Sequence, residues 1–453
     1  MYPTTKLERF SENVQLKYQL FNSIFITLPF HAIDNTGALL PLFSEVCQEG
    51  YKNGKSPHDI FKEFADKYLQ EYSEQQRIGI MFRFIQYVER QVVLFDAIED
   101  AAFDSLNNLE GPGSLREIKD NAESRNLKDN LRAFLESFEV RTVLTAHPTQ
   151  FYPDAVLGII TDLTNAIRRN DLAEIRTLLA QLGKTPFIKK EKPTPYDEAL
   201  SLIWYLENVF YDTSGEIASY IHENIFDKSG PSRPVVSFGF WPGGDRDGNP
   251  FVTTDITLRV AKRLRNAILK CYYKDIRKLR RKLTFPVVDV KISDIENRLY
   301  RSVYYSEGEL YITLDELKRE MKAIRQFIVE NHQSLYIEEI ERFIARVQTF
   351  GYYFATLDIR QNAHIHDKVF ADIVNVLSKT QDSALNEYNQ ADDAGKIAML
   401  TRFSGKIDIQ QFTDENTRNT LEAIQAMKTI QEQNGERGCN RFIISNTDRK
   451  SVV

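Results

Sequence analysis

Four short runs rich in β-branched and aromatic residues constrain this chain most: VRTVLT (140–145), PVVSFGFW (234–241), YYFATLDI (352–359) and RFIISN (441–446). Long stretches with helical periodicity separate them. Parallel strands need crossovers of about a dozen residues or more, usually helical, so this spacing predicts successive β/α units and a parallel sheet. In 81–103, Ile85, Val88, Val92, Phe95 and Ile98 recur at steps of three and four, which predicts a well-buried helix with that face inward. Pro153-Asp154, Thr194-Pro195 and Asp255 mark further helix starts.

Each run leads into polar residues: His147 after the first, GGDRDGN after the second, Arg360-Gln361 after the third and Ser445-Asn446 after the fourth. In β/α barrels the active site is assembled at the carboxyl ends of the strands. The residues therefore imply a mainly α chain with β/α units, either a TIM-type β/α barrel in an incomplete chain or an open sheet. Such a barrel has eight strands, and this chain holds about four of them plus an N-terminal helical layer. The expected division is a helical region over 1–139, the first half of the barrel with helical insertions over 140–447, and a tail, 448–453, that reads as foreign to the protein.

Charge bounds what the mouth of such a barrel can bind. With 58 Lys and Arg against 64 Asp and Glu the net charge is −6, so no global positive field favours nucleic acid or an acidic membrane surface. An anionic ligand must be held by local cations. Cys47, Cys271 and Cys439 are far apart and in no metal-ligand spacing, which argues against a disulfide framework and makes the cytoplasm the expected compartment. LFNSIFITLPF (20–30) is too short and too polar to span a bilayer, and no membrane partner is expected.

His147 stands first among the candidate site residues. Pro148 restricts its backbone to extended values, and an imidazole there can exchange a proton near neutral pH. In GFWPGGDRDGNPFVTTD (239–255), Gly243 and Gly244 allow close backbone approach, Arg246 can fork onto a phosphate or carboxylate, and Asp245 and Asp247 are expected to orient that guanidinium. A calcium loop starting at Asp245 fails, because Pro250 and Ile256 occupy the positions that need glycine and glutamate. Arg360 could face an anion from the mouth or pair with Asp358. His364 and His366 read as solvated surface, and the basic run 274–283 as a solvated helix face.

VLTAHPTQ, FWPGGDRDGNP and FATLDIRQ, in this order and at these separations, resemble phosphoenolpyruvate carboxylase, and KPTPYDEAL fits as well. The resemblance implies an eight-stranded barrel in a helical shell, a homotetramer, and carboxylation of phosphoenolpyruvate by bicarbonate with Mg²⁺ or Mn²⁺, giving oxaloacetate and phosphate. It implies His147 as the catalytic histidine, Arg360 as an active-site cation for phosphoryl or carboxyphosphate oxygens, and Trp241 as a wall of the CO₂ pocket. Arg246 and Asp247 are expected to serve as electrostatic scaffold in the same mouth.

Gln150 replaces the family's usual glutamate, Tyr152, Pro153 and Asp154 stand where an arginine pair is usual, and Pro242 replaces a common methionine. RQNAHIH also departs from the more usual Arg-Gln-Glu-Ser pattern. These departures suggest a divergent bacterial subgroup. Members of the family are far longer. The resemblance assigns the metal-binding acidic residues, a catalytic lysine, a glycine- and arginine-rich loop and an inhibitor site for aspartate or malate to sequence not found here. The expectation is a truncated, inactive fragment; the alternative is a non-catalytic or split subunit completed by a second chain.

Overall fold

The computed structural model describes residues 5–27, 36–109, 111–145, 152–187, 193–226, 233–305, 310–380, 385, 387–405 and 407–447. Contacts divide the chain into two compact units that interleave along the sequence: 1–117 with 147–192, and 118–146 with 193–453.

The described part of the first unit is helical. Its longest helix, Glu74–Leu106, begins at a capping box in which Ser73 and Gln76 satisfy each other's backbone N–H groups. It buries Tyr87, Leu94, Ala97 and Ile98 against Leu163, Ala166 and Leu179. Ile85, Val88 and Val92, expected inward, are exposed. The helix carries two apolar stripes, and the neighbouring helices Asp154–Arg169 and Leu172–Lys184 cover the one through Tyr87 and Leu94. Arg90 is buried on that side, where it donates to the carbonyls of Gln86, Leu182 and Thr185.

The second unit holds a parallel four-stranded sheet in sequential order: β1 Val140–Leu144, β2 Val236–Phe240, β3 Thr356–Asn362 and β4 Arg441–Ser445. Sequential order with helical crossovers is the connectivity of a β/α barrel. The described sheet is open, with β1 and β4 as its edges. Helices Thr254–Arg280, Val288–Tyr304, Leu314–Asn331 and Ile337–Phe350 pack with β2 and β3 into one core containing Phe240, Leu264, Tyr272, Phe343, Phe350 and Leu357. β2 and β3 are buried along most of their length, whereas Val140 and Val143 on β1 and Ile444 on β4 are exposed.

β3 starts four residues later than its sequence suggests. Gly351 and Phe354 take positive φ values of 49° and 62°, and Tyr352–Ala355 forms a buried turn ahead of the strand. Pairing of Asp358–Asn362 with Arg441–Ser445 then carries β3 through Arg360. Arg360 therefore lies within the strand and not beyond it.

Candidate active site

The carboxyl ends of β2, β3 and β4 gather one charged cluster, which Arg141 near the start of β1 joins through Asp358. Arg360 on β3 places one guanidinium nitrogen 3.0 and 2.9 Å from the two carboxylate oxygens of Asp245, and the other 2.8 Å from Asp247. Its guanidinium carbon lies 5.0 Å from the centroid of the Trp241 ring. The Trp241 indole N–H donates to Asp358 at 3.2 Å, and Arg141 on β1 donates to the same carboxylate at 2.7 Å. Asp358 is 1% exposed, so both partners compensate a charge that burial would otherwise make costly. From β4, Ser445 Oγ donates to Asp247 at 2.6 Å, and the amide of Asn362 reaches it at 3.4 Å. These hydrogen bonds, the Ser445 hydroxyl foremost and then Asn362 and the charge of Arg360, hold the Asp247 carboxyl below the usual carboxylate range.

Main-chain bonds fix the frame. The Trp241 N–H donates to Leu144 O, the Arg246 N–H to Arg360 O and the Arg360 N–H to Gly244 O, so the ladder runs on past the end of β2. Gly244 is required: a Cβ there would stand 2.1 Å from Asp358 O. Gly239 serves Arg141 similarly, since a Cβ would meet its guanidinium at 2.7 Å.

Asp245 and Asp247 hold Arg360, not Arg246 as expected. In extended backbone alternate residues share a face, so the two aspartates point one way and Arg246 the other. Arg246 turns inward, donating to Val252 O at 3.2 Å and Thr257 Oγ1 at 3.1 Å. Burial pushes its pKa down. Nη1 is buried with no partner among the described residues. Asp358, the other expected partner of Arg360, is taken by Arg141 and Trp241. His147 lies outside the described residues, as do Pro148, Gln150 and the tail 448–453. His366 is half-buried, with its ring 5.1 Å from that of Phe442, whereas His364 is exposed.

Beside the cluster opens a cavity of about 690 Å³ lined by Arg246, Asp247, Asn362, His364 and Thr420 among others. Arg141 and Arg360 face Asp245, Asp247 and Asp358 while Arg246 points away, so the described cluster positions cations without an excess of positive charge. Among the described residues no group of three His, Cys, Asp or Glu is placed to hold a metal ion. The mouth carboxylates are already committed to arginines, the indole and Ser445. These residues do not fit a divalent cation. No helix among the described residues is long and apolar enough to cross a membrane.

Residues 80–303 and 292–453 match the phosphoenolpyruvate carboxylase family. The chain belongs to that family. It is 27% identical to the phosphoenolpyruvate carboxylase of Shewanella sediminis, over 70% of this chain and 41% of the relative. It is 26% identical to that of Shewanella loihica, over 72% of this chain and 42% of the relative. Identity to that of Prochlorococcus marinus subsp. pastoris is 25%, over 70% and 39%. The chain thus spans about two fifths of the length of these phosphoenolpyruvate carboxylases.

Proposed function

We propose that this chain carries one part of a phosphoenolpyruvate carboxylase active site and is inactive alone. In this reaction bicarbonate attacks the phosphorus of phosphoenolpyruvate, giving carboxyphosphate and the enolate of pyruvate. Carboxyphosphate releases CO₂ and phosphate, and the enolate captures the CO₂ to form oxaloacetate. Every species except CO₂ is anionic. Arg360, held by Asp245 and Asp247 and backed by Trp241, would stabilise the phosphoryl or carboxyphosphate oxygens, a preorganised electrostatic role. The Trp241 ring would wall the CO₂ pocket from water, and Arg246 would brace the loop. His147 would take the carboxyphosphate proton. Mg²⁺ or Mn²⁺, further cations and a homotetrameric assembly belong to the whole enzyme in this reading. The observation that carries it is the gathering of Trp241, Asp245, Asp247 and Arg360 at the strand ends in a chain of this family.

Two measurements test it. With phosphoenolpyruvate, bicarbonate and Mg²⁺ in an assay coupled to malate dehydrogenase, the 453-residue chain should form no oxaloacetate above a His147→Ala control; turnover above that control overturns the claim of incompleteness. In a Trp204→Phe background, phosphoenolpyruvate should perturb Trp241 fluorescence, with Arg360→Gln weakening the response about tenfold or more. An unperturbed signal up to about 10 mM, or an equal response in the variant, removes the mouth as an anion site.

A second reading, a split or non-catalytic subunit completed by another chain, draws on the exposed apolar residues of the edge strands, Val140, Val143 and Ile444. A purified chain that stays monomeric and never binds a second polypeptide would remove it.

A further inference from the structure

Parallel strands leave their amino ends together at the face opposite the mouth. There the turns entering β2, β3 and β4 enclose a cavity of about 610 Å³ with helices Tyr211–Asn224, Leu314–Asn331 and Ile337–Phe350. Arg233 reaches it from the turn before β2, Arg437 from the turn before β4, Lys318 and His222 from the helices. We propose that this cavity is a second binding site, for a small organic molecule carrying two or more carboxylate or phosphate charges.

Three observations carry the proposal. Several cations elsewhere in this unit are matched to acids: Arg346 pairs with Asp212 and Asp275, Arg298 with Asp294, Glu316 and Glu320, and Arg325 with Glu341. Arg233, Lys318 and Arg437 pair with no carboxylate among the described residues. Two acids share the lining. Glu136 is already engaged in an interaction of its own, and Glu436 is exposed on its turn. Three cations against two carboxylates leave a local positive excess in a chain of net charge −6, where the mouth has none.

The pieces are also held in place. Arg437 lies beside the Tyr353 hydroxyl, which donates its proton to Thr349 O at 3.0 Å. The turn carrying Arg437 is anchored by Asn434, whose amide donates to Ala261 O at 3.0 Å. Finally, Ile217, Ile221, Val235 and Leu314 give the cavity an apolar wall for a carbon skeleton, which an inorganic ion would not need. A ligand bridging the cations would tie together the turns that enter β2 and β4. The inference stands apart from the reading of the mouth and does not need it.

The test titrates the 453-residue chain by calorimetry at low salt with citrate, fructose 1,6-bisphosphate, pyrophosphate and, as a monoanion, acetate. Citrate or the bisphosphate should saturate one site and acetate should not; citrate alone identifies a carboxylate ligand, the bisphosphate alone a phosphate ligand. Arg437→Gln and Lys318→Gln should each weaken binding about tenfold or more, while Lys428→Gln, on an exposed helix face, should not. Far-UV circular dichroism matching the parent confirms that the variants fold, and Lys318→Gln serves if Arg437→Gln does not. The proposal is overturned if neither citrate nor the bisphosphate saturates, if binding survives in the folded lysine variant, or if Arg360→Gln abolishes it, which would place the ligand in the mouth.

Discussion

Asp247 joins three of the strand ends, and its titration reports on that junction. Its folded-state pKa is depressed, so the stability it contributes is fully present above the unfolded carboxyl value, about 4, and is lost as pH falls through the folded one. Ser445→Ala removes the largest cause of the depression. It should raise the Asp247 pKa and move the acid loss of stability to higher pH, measured as the thermal midpoint of the second unit between pH 3 and pH 6; superimposable profiles would show that Ser445 does not matter. At this scale the sequence spoke unevenly. Gly244 and the two aspartates were legible as a close-approach loop, and Arg360 as a mouth residue. The partner of Arg360 was not, because two arginines compete for the same aspartates and only the face on which each projects decides between them. Arg141 was missed altogether. Its signal was a lone cation inside an apolar strand, which has to find a buried acid, and Asp358 on β3 was the acid to look for.

Elements raise the same question of faces. The helix Glu74–Leu106 presents apolar residues around much of its circumference, and periodicity alone could not say which stripe its neighbours would cover. Leu94 is 0% and Ile85 55% exposed, so Leu94→Ala should cost about 2–5 kcal/mol. Ile85→Ala should change stability by no more than about 0.5 kcal/mol. Urea unfolding followed by circular dichroism checks this, because both tryptophans, Trp204 and Trp241, belong to the other unit and their fluorescence should not report the transition. Equal effects at the two positions would contradict the described packing. Strand positions were legible to within a few residues wherever an apolar run ended at a glycine or a polar residue. β3 slipped because four aromatic and small residues that look like strand, Tyr352–Ala355, are spent on a left-handed turn, and tertiary pairing with β4 supplied the missing length at the other end.

At the scale of the molecule, the three motifs marked the family because their order and separation are fixed by the alternation of strand and crossover. The interleaved units were marked in part: the linker-like stretches 107–117 and 183–197 reach the boundaries at 117 and 192, whereas no such composition marks the boundary at 146. The ladder that continues past β2 has a further consequence. The amides of Trp241, Arg246 and Arg360 donate to carbonyls of neighbouring strand segments. In deuterium exchange they should therefore be protected like core strands, and far more than the turn at Gly248–Phe251. Equally fast exchange of the two groups would mean that the rim frays on its own. If protection holds, the rim behaves as a fixed frame: any ligand must fit it as it stands, and the segments around Arg360 cannot part without unzipping the sheet itself.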